Sequence, residues 1–208
     1  MYKLFYSPGS AAIAPHVVLE EIGQPFELVR VDTATGAHKR PDYLKLNPHG
    51  RVPTLADGDL VIYEAAAITL HLADMNPKAG LAPALGTPER ARFYQHLIYL
   101  TNTVQEAFIQ YYHADYSAPS AAGQAEVKAT AEKRLTGMWE KLDSALAQPG
   151  PYLLGKTFTA ADIYLAMLAR WSRNMGRPAA THPNIKRLVD LVAARPAWKR
   201  MFQAQGLQ

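Results

Sequence analysis

The 208-residue sequence contains no cysteine. Disulfide bonds, cysteine nucleophiles and zinc–thiolate sites are therefore excluded. Any sulfur chemistry that this protein performs must use a thiol that arrives with a ligand.

Long apolar runs and blocks of like charge are also missing. No window approaches eighteen consecutive apolar residues, so we expect no membrane span and no membrane partner. The net charge is +4, but the basic residues are scattered, which argues against a nucleic-acid partner and suits a small anion. Histidines without ligand partners at metal spacing give no reason to expect a metal. No secretory leader is recognisable, so we expect a cytoplasmic protein.

Short strands alternate with helices in the first part of the chain, and helices alone follow. The order is βαβ, an irregular helical turn, then ββα, which predicts a four-stranded mixed sheet with helices packed on it. The first helix is expected from about Ala11 to Ile22. The sequence thus predicts an α/β N-terminal domain at 1–76, a linker at 77–86 and an all-α C-terminal domain at 87–208.

The most informative segment is Asn47-Pro48-His49-Gly50-Arg51-Val52-Pro53-Thr54-Leu55. Its Val52–Pro53 bond is a candidate cis peptide, because X–Pro bonds are the common place for one. Such a bond turns the N–H and C=O of Val52 toward solvent, where they can pair with a peptide-like ligand. Glu64 then opens a helix whose first N–H groups can receive a carboxylate. These features predict a site for a small peptide that carries an amino group and carboxylates.

A second strong local signal lies at Phe158–Ile163. Thr159 can cap a helix, and Asp162 stands at the third helical position, where its side chain can return the hydrogen bond. The helix that follows is apolar on several sides, so we expect it at the centre of the helical domain.

Taken in order, four motifs resemble the cytosolic glutathione transferase family over essentially the whole chain: Tyr6-Ser7-Pro8-Gly9, Asn47-Pro48-x-Gly50-x-Val52-Pro53, Glu64-x-x-Ala67-Ile68 and Phe158-Thr159-x-Ala161-Asp162. The bacterial beta-type branch is the most similar. The resemblance implies a thioredoxin-like βαβαββα domain that binds glutathione as co-substrate. It also implies a helical domain that holds a small hydrophobic electrophile, a homodimer, and a role in detoxification.

The same resemblance assigns residues to glutathione. Val52, beside Pro53, would pair its backbone with the cysteinyl part, Glu64 would bind the γ-glutamyl ammonium, and the N–H of Ala65 would bind its carboxylate. For the glycyl carboxylate three basic residues stay open: His38, Lys39 and Arg51. The electrophile pocket would use Tyr111, Tyr112 and Gln105, although an aromatic stripe on a helix is also typical of a core.

Three positions depart from the beta-type pattern. Ala11 stands where those enzymes have a cysteine, Gln105 where they have a histidine, and Ala65 where a serine is usual. The mixed-disulfide chemistry of the cysteine-bearing relatives is therefore not available to this chain.

Conjugation needs the thiolate of glutathione, and a cysteine-type thiol titrates near ~8.5. Lowering that pKa by one to two units takes about 1.4–2.7 kcal/mol, which a hydroxyl hydrogen bond and a helix N-terminus can supply. Ser10, at the start of the first helix, is the first candidate and Tyr6, at the end of the first strand, the second. Ser7 or backbone N–H groups are the remaining alternatives.

The predicted function is therefore conjugation of glutathione to hydrophobic electrophiles by a glutathione transferase. Another glutathione-dependent reaction, peroxide reduction or isomerisation, is a second hypothesis. A third is a non-catalytic binding or regulatory protein of the same fold, which the missing cysteine, histidine and serine make a serious alternative.

Overall fold

The computed structural model describes residues 1–208 and divides into two compact units. The first comprises 1–82 together with 194–208, and the second comprises 83–193. The C-terminal segment 194–208, which the sequence division placed in the helical domain, thus joins the sheet-containing unit.

A four-stranded mixed sheet forms the first unit, as the strand pattern predicts. Its strands lie in the order β2-β1-β3-β4. β1 pairs in parallel with β2 and antiparallel with β3, and β3 pairs antiparallel with β4. The strands are β1 (Tyr2–Tyr6), β2 (Phe26–Arg30), β3 (Thr54–Asp57) and β4 (Leu60–Tyr63).

Side chains alternate along β1 as a pleated strand requires. Tyr2, Leu4 and Tyr6 are buried, whereas Lys3 and Phe5 are only half-buried. Leu4 lies in register with Leu28 of β2 and Leu55 of β3, which centres an aliphatic core on β1.

The helices of this unit are α1 (Ile13–Ile22), α2 (Pro41–Leu44) and α3 (Ala65–Met75). α1 and α3 pack against each other. α1 begins two residues later than the sequence predicts, and it ends at Gly23, whose left-handed φ of 73° suits glycine.

The second unit is helical. It contains α4 (Pro88–Tyr99), α5 (Glu106–Tyr112), α6 (Ala121–Ala145), α7 (Ala160–Trp171) and α8 (Pro183–Ala194). Every residue of α7 from Ala160 to Ala169 is buried, which confirms the expected central helix. None of the helices combines the length and apolarity needed to cross a membrane.

α4 and α5 are joined by a π-helical segment, Leu100–Gln105. The sequence predicts an apolar stripe at helical spacing here, formed by Leu97, Leu100 or Thr101, Val104, Phe108 and Tyr111, and leaves the choice between positions 100 and 101 open. The structure buries Leu100 and Val104 and turns Thr101 toward Tyr164, with 3.3 Å between their hydroxyl oxygens. A π-bulge inserts one residue into the helical register, which explains the ambiguity.

A last helix, α9 (Pro196–Ala204), packs along α1 in the first unit. The guanidinium of Arg195 donates to both carboxylate oxygens of Glu21, at 2.6 and 2.9 Å. Arg200 pairs with Glu20 one residue earlier on α1. A bidentate guanidinium–carboxylate pair fixes orientation as well as distance, so α9 is held to α1 at defined positions.

The capping box at the start of α7 holds a buried carboxylate. Asp162 accepts from the N–H of Thr159 at 2.7 Å and from the N–H of Leu153 at 2.8 Å, and it is completely buried. Its carboxylate therefore ties the preceding loop to the central helix.

We expect Asp162→Ala to lower the free energy of unfolding by about 3 kcal/mol, because it leaves buried N–H donors without an acceptor. Asp190→Ala is the matched control: it removes a largely exposed pair with Lys186 and should cost less than about 1 kcal/mol. Denaturant unfolding of both variants measures the difference, and equal losses would contradict this role of Asp162.

Candidate glutathione site

The loop at residues 47–53, before β3, is held by two hydrogen bonds donated to one carbonyl oxygen, that of Arg51. Asn47, 2% exposed, donates its side-chain amide to the carbonyl oxygen of Arg51 at 2.7 Å. The hydroxyl of Tyr43, on α2, donates to the same oxygen at 2.7 Å. The side-chain oxygen of Asn47 also accepts the N–H of His49. The loop therefore has one well-defined conformation.

Gly50 allows this loop to lie against the turn Ala37–Lys39. Its φ is +57°, and a Cβ at this position would lie 2.8 Å from the carbonyl oxygen of His38. Both the backbone conformation and the contact therefore require glycine.

Val52, two residues after Gly50, presents an open backbone edge. The Val52–Pro53 peptide bond is cis. The N–H and C=O of Val52 make no hydrogen bond within the chain, and pairing of β3 with β1 begins only at Thr54. A free donor and acceptor on one residue can pair with the backbone of an extended ligand.

The N-terminus of α3 is a second open group of donors. No side chain caps this helix, and its first residues are Ala65, Ala66 and Ala67. Glu64, directly before it, has φ 71°, the one positive φ outside glycine. Such a backbone costs about 1–3 kcal/mol and is found mainly at functional sites. The uncapped N–H groups can receive an anion.

Of the three basic candidates, the structure brings Lys39 to the loop. Its ammonium donates to the carbonyl oxygen of His49 at 3.2 Å. Burial, and then the neighbouring charge of Lys39, lower the pKa of His38, which favours its neutral form. Arg51 is exposed, and its side chain makes no hydrogen bond. Of the three candidates, Lys39 is therefore the one whose side chain donates a hydrogen bond to this loop.

The turn between β1 and α1 carries the two candidate hydroxyls. Ser10 donates its hydroxyl to the carbonyl oxygen of Ser7 at 2.7 Å and accepts the N–H of Ala12 at 3.2 Å. It lies in the turn before α1 rather than at the first helical residue, which corrects the expected helix start. Tyr6 is 7% exposed and its hydroxyl makes no hydrogen bond.

One further residue that contacts this turn has no signal in the sequence. The side-chain oxygen of Gln205 accepts the N–H of Gly9 at 3.1 Å, and its nitrogen lies 3.0 Å from Nδ1 of His16. Gln205 and Gly9 are 196 positions apart. No local pattern indicates a contact between the two ends of a chain, so sequence reasoning missed it.

In the helical unit, Tyr111 and Tyr112 are neighbours, with ring centroids 5.0 Å apart. Tyr111 is buried, and the ammonium of Lys128 lies 4.8 Å from its ring centroid. Tyr112 is 47% exposed, stacks on Phe108 and donates its hydroxyl to the carbonyl oxygen of Trp171. Tyr112 therefore offers an aromatic surface and Tyr111 a core contact.

Gln105 is not joined to these tyrosines by any hydrogen bond. Its side-chain oxygen accepts the hydroxyl of Tyr164, which fixes the orientation of the amide. The amide nitrogen is left as a free donor. No group of three or more histidines and carboxylates is arranged to hold a metal ion.

Known proteins are similar to this chain in both of its parts. Residues 1–74 match the family model for the glutathione S-transferase N-terminal domain, and residues 120–204 match the one for its C-terminal domain. Glutathione S-transferase 3 of Zea mays is 33% identical over 216 residues, which cover 98% of this chain and 93% of that protein.

Two solved structures share the whole architecture. A glutathione transferase homolog from Sulfitobacter, with bound glutathione, has a TM-score of 0.91 and 30% identity, covering 100% of this chain and 99% of that one. A sphingomonad glutathione S-transferase complexed with glutathione has a TM-score of 0.87 and 36% identity, covering 99% and 100%.

The four-stranded mixed sheet of the first unit and the helices of the second are those of a thioredoxin-like domain followed by a helical domain. With full-length relatives at this identity, the chain belongs to the glutathione S-transferase family.

The Gly50 contact gives a prediction about the loop. We expect Gly50→Ala to lower the free energy of unfolding by about 2–3 kcal/mol, since it combines a left-handed φ with a clash against backbone. Gly58→Ala is the matched control, because Gly58 has φ +61° but no atom within 4 Å of the place a Cβ would take. Its cost should be about 1 kcal/mol. Denaturant unfolding compares the two, and equal costs would show that the contact with His38 is unimportant.

Proposed function

We propose that this chain is a glutathione transferase that binds reduced glutathione along Val52 and the N-terminus of α3, and joins its thiolate to a hydrophobic electrophile. The observation that carries the proposal is the unpaired N–H and C=O of Val52. The cysteinyl residue of glutathione has the complementary acceptor and donor.

The two ends of glutathione carry different charged groups and therefore need different partners on the protein. The γ-glutamyl end has an ammonium, which suits the carboxylate of Glu64, and a carboxylate, which suits the N–H of Ala65 at the uncapped start of α3. The glycyl end has only a carboxylate. Lys39 is the cation held beside the loop, so we assign that carboxylate to Lys39.

The thiol of glutathione would lie at the turn between β1 and α1. The hydroxyl of Ser10 donates a hydrogen bond to the carbonyl oxygen of Ser7. Exchanging this neutral hydrogen bond for one to a thiolate is favourable because charge-assisted bonds are stronger. Tyr6 has a hydroxyl with no partner to give up. Both groups can stabilise the thiolate, and we place Ser10 first.

The electrophile would contact the helical unit. Tyr112 supplies exposed aromatic surface, and the ring of Tyr111 packs against it edge to face. The free amide nitrogen of Gln105 can donate to a polar substituent or leaving group. We further propose that the protein works in the cytoplasm as a homodimer and serves in detoxification, as the resemblance to its family implies.

The glycyl assignment predicts the effect of removing one charge. Lys39→Met should raise the Kd for reduced glutathione about tenfold, the equivalent of about 1.4 kcal/mol, because a charge-assisted hydrogen bond is lost. Lys45→Met is the matched control, since Lys45 is exposed and pairs only with Asp42. Titration calorimetry measures both. Equal weakening would mean that net charge alone attracts the ligand, and would contradict the assignment.

The thiol-activating residues give a prediction about turnover. Wild-type protein should conjugate glutathione to a halogenated nitroarene, and Ser10→Ala should lower kcat/KM at least about tenfold, the loss expected for one hydrogen bond to a charged group. Tyr6→Phe tests the second candidate in the same assay.

The outcomes separate the competing functions. Full activity in both variants would contradict the proposed activation by a hydroxyl. Binding of glutathione without turnover of a panel that includes peroxides and isomerisation substrates would favour a non-catalytic protein of the same fold. Absence of glutathione binding at millimolar concentration would contradict the proposed function itself.

A further inference from the structure

Gln205 connects the end of the chain to the turn that carries Ser10. It is 5% exposed, and both ends of its amide are used. The oxygen accepts the N–H of Gly9 at 3.1 Å, and the nitrogen lies 3.0 Å from Nδ1 of His16. One buried side chain therefore holds a loop residue and a helix residue together.

The direction of each of these hydrogen bonds is determined. The N–H of Gly9 can only donate, so Gln205 must direct its oxygen there and its NH2 group toward His16. Nδ1 of His16 must then be an acceptor, and the imidazole proton sits on Nε2, which lies 3.7 Å from Glu20. Burial lowers the pKa of His16 to about 4, so the neutral ring is the form present near pH 7.

The backbone around Gln205 is itself well fixed. Gly206, with φ +63°, ends α9, and the N–H of Leu207 bonds the carbonyl of Phe202 at 3.0 Å in a Schellman motif. The side chain of Leu207 then lies 3.8 Å from the position of a Cβ on Gly9. Arg195 and Arg200 anchor the start and middle of α9 to α1.

We infer that Gln205 is a positioning residue for activation of the glutathione thiol, because it fixes the Gly9 N–H and thereby the turn that carries Ser10. This inference rests on the proposed function. The N–H of Gly9 lies one peptide unit from Ser10, so loss of the Gln205 amide removes a hydrogen bond from the turn next to the candidate hydroxyl. Displacements near 1 Å can cost about a hundredfold in rate when geometry carries catalysis.

The test is Gln205→Leu, which keeps the approximate size of the side chain and removes both hydrogen bonds. The thiolate fraction of bound glutathione, followed by its ultraviolet absorbance over pH, should fall about tenfold at pH 6.5 and kcat should fall about tenfold. The KM for glutathione should change less than about twofold, because Val52, Glu64 and Lys39 are untouched.

Gln205→Glu is the conservative variant. Its carboxylate accepts the N–H of Gly9, and the imidazole proton of His16 can sit on Nδ1 instead of Nε2 and be donated to the carboxylate, so the contact with the turn is restored. We expect the thiolate fraction to return to within about twofold of wild type.

Arg195→Gln is the control for a merely structural role. It breaks the pair with Glu21 and should lower Tm, but it leaves Gln205 and Gly9 in contact and should not change the thiol titration. A Gln205→Leu protein that titrates like wild type would overturn the inference and leave Gln205 a stabilising residue. If wild type itself binds no glutathione, the proposed function fails instead.

Amide exchange in the wild-type protein tests the same contact without any substitution. The Gly9 N–H should be protected from exchange, because it donates a hydrogen bond to the side chain of Gln205. If the Gly9 N–H exchanges as fast as the amide of an unstructured loop, the inference about Gln205 is wrong.

Discussion

Two hydrogen bonds to the carbonyl oxygen of Arg51 are the constraint on which the site depends. Asn47 and Tyr43 hold this oxygen from the loop and from α2, and Gly50 lets the loop approach His38 closely. The carbonyl of Arg51 is thus used within the protein, whereas the N–H and C=O of Val52 are left open. A rigid loop with one unpaired amide edge loses little entropy when a peptide binds.

The groups that we propose for glutathione binding lie in the first unit, where elements of secondary structure begin or end. The turn after β1 supplies hydroxyls, the loop before β3 supplies a backbone edge, and the start of α3 supplies uncapped N–H groups. Lys39 adds one cation. In the proposed function these groups bind a tripeptide with a thiol in the middle and carboxylates at both ends. The chain has no cysteine, so a thiol on that ligand supplies the nucleophile that the protein lacks.

Sequence reasoning reached the sheet, the central helix and the cis-proline loop because each has a local pattern. Each of these patterns lies within a few residues of sequence: the alternation of the strands, the capping box at Thr159 and Asp162, and the Val-Pro pair. It misjudged features that depend on distant packing. α1 begins at Ile13 rather than Ala11 because Ser10 and its neighbours form a turn. The π-helical segment is visible in the sequence only as a shift in the register of apolar residues. The contact between Gln205 and Gly9 joins the two ends of the chain, so no local pattern predicts it.

A crystal structure of the wild-type protein with reduced glutathione tests the central claim most directly. The account predicts that the cysteinyl N–H and C=O pair with the backbone of Val52, with the γ-glutamyl carboxylate at the N–H of Ala65 and the sulfur beside Ser10 or Tyr6. Glutathione bound elsewhere, or a Val52 edge occupied by the protein's own groups, would contradict it.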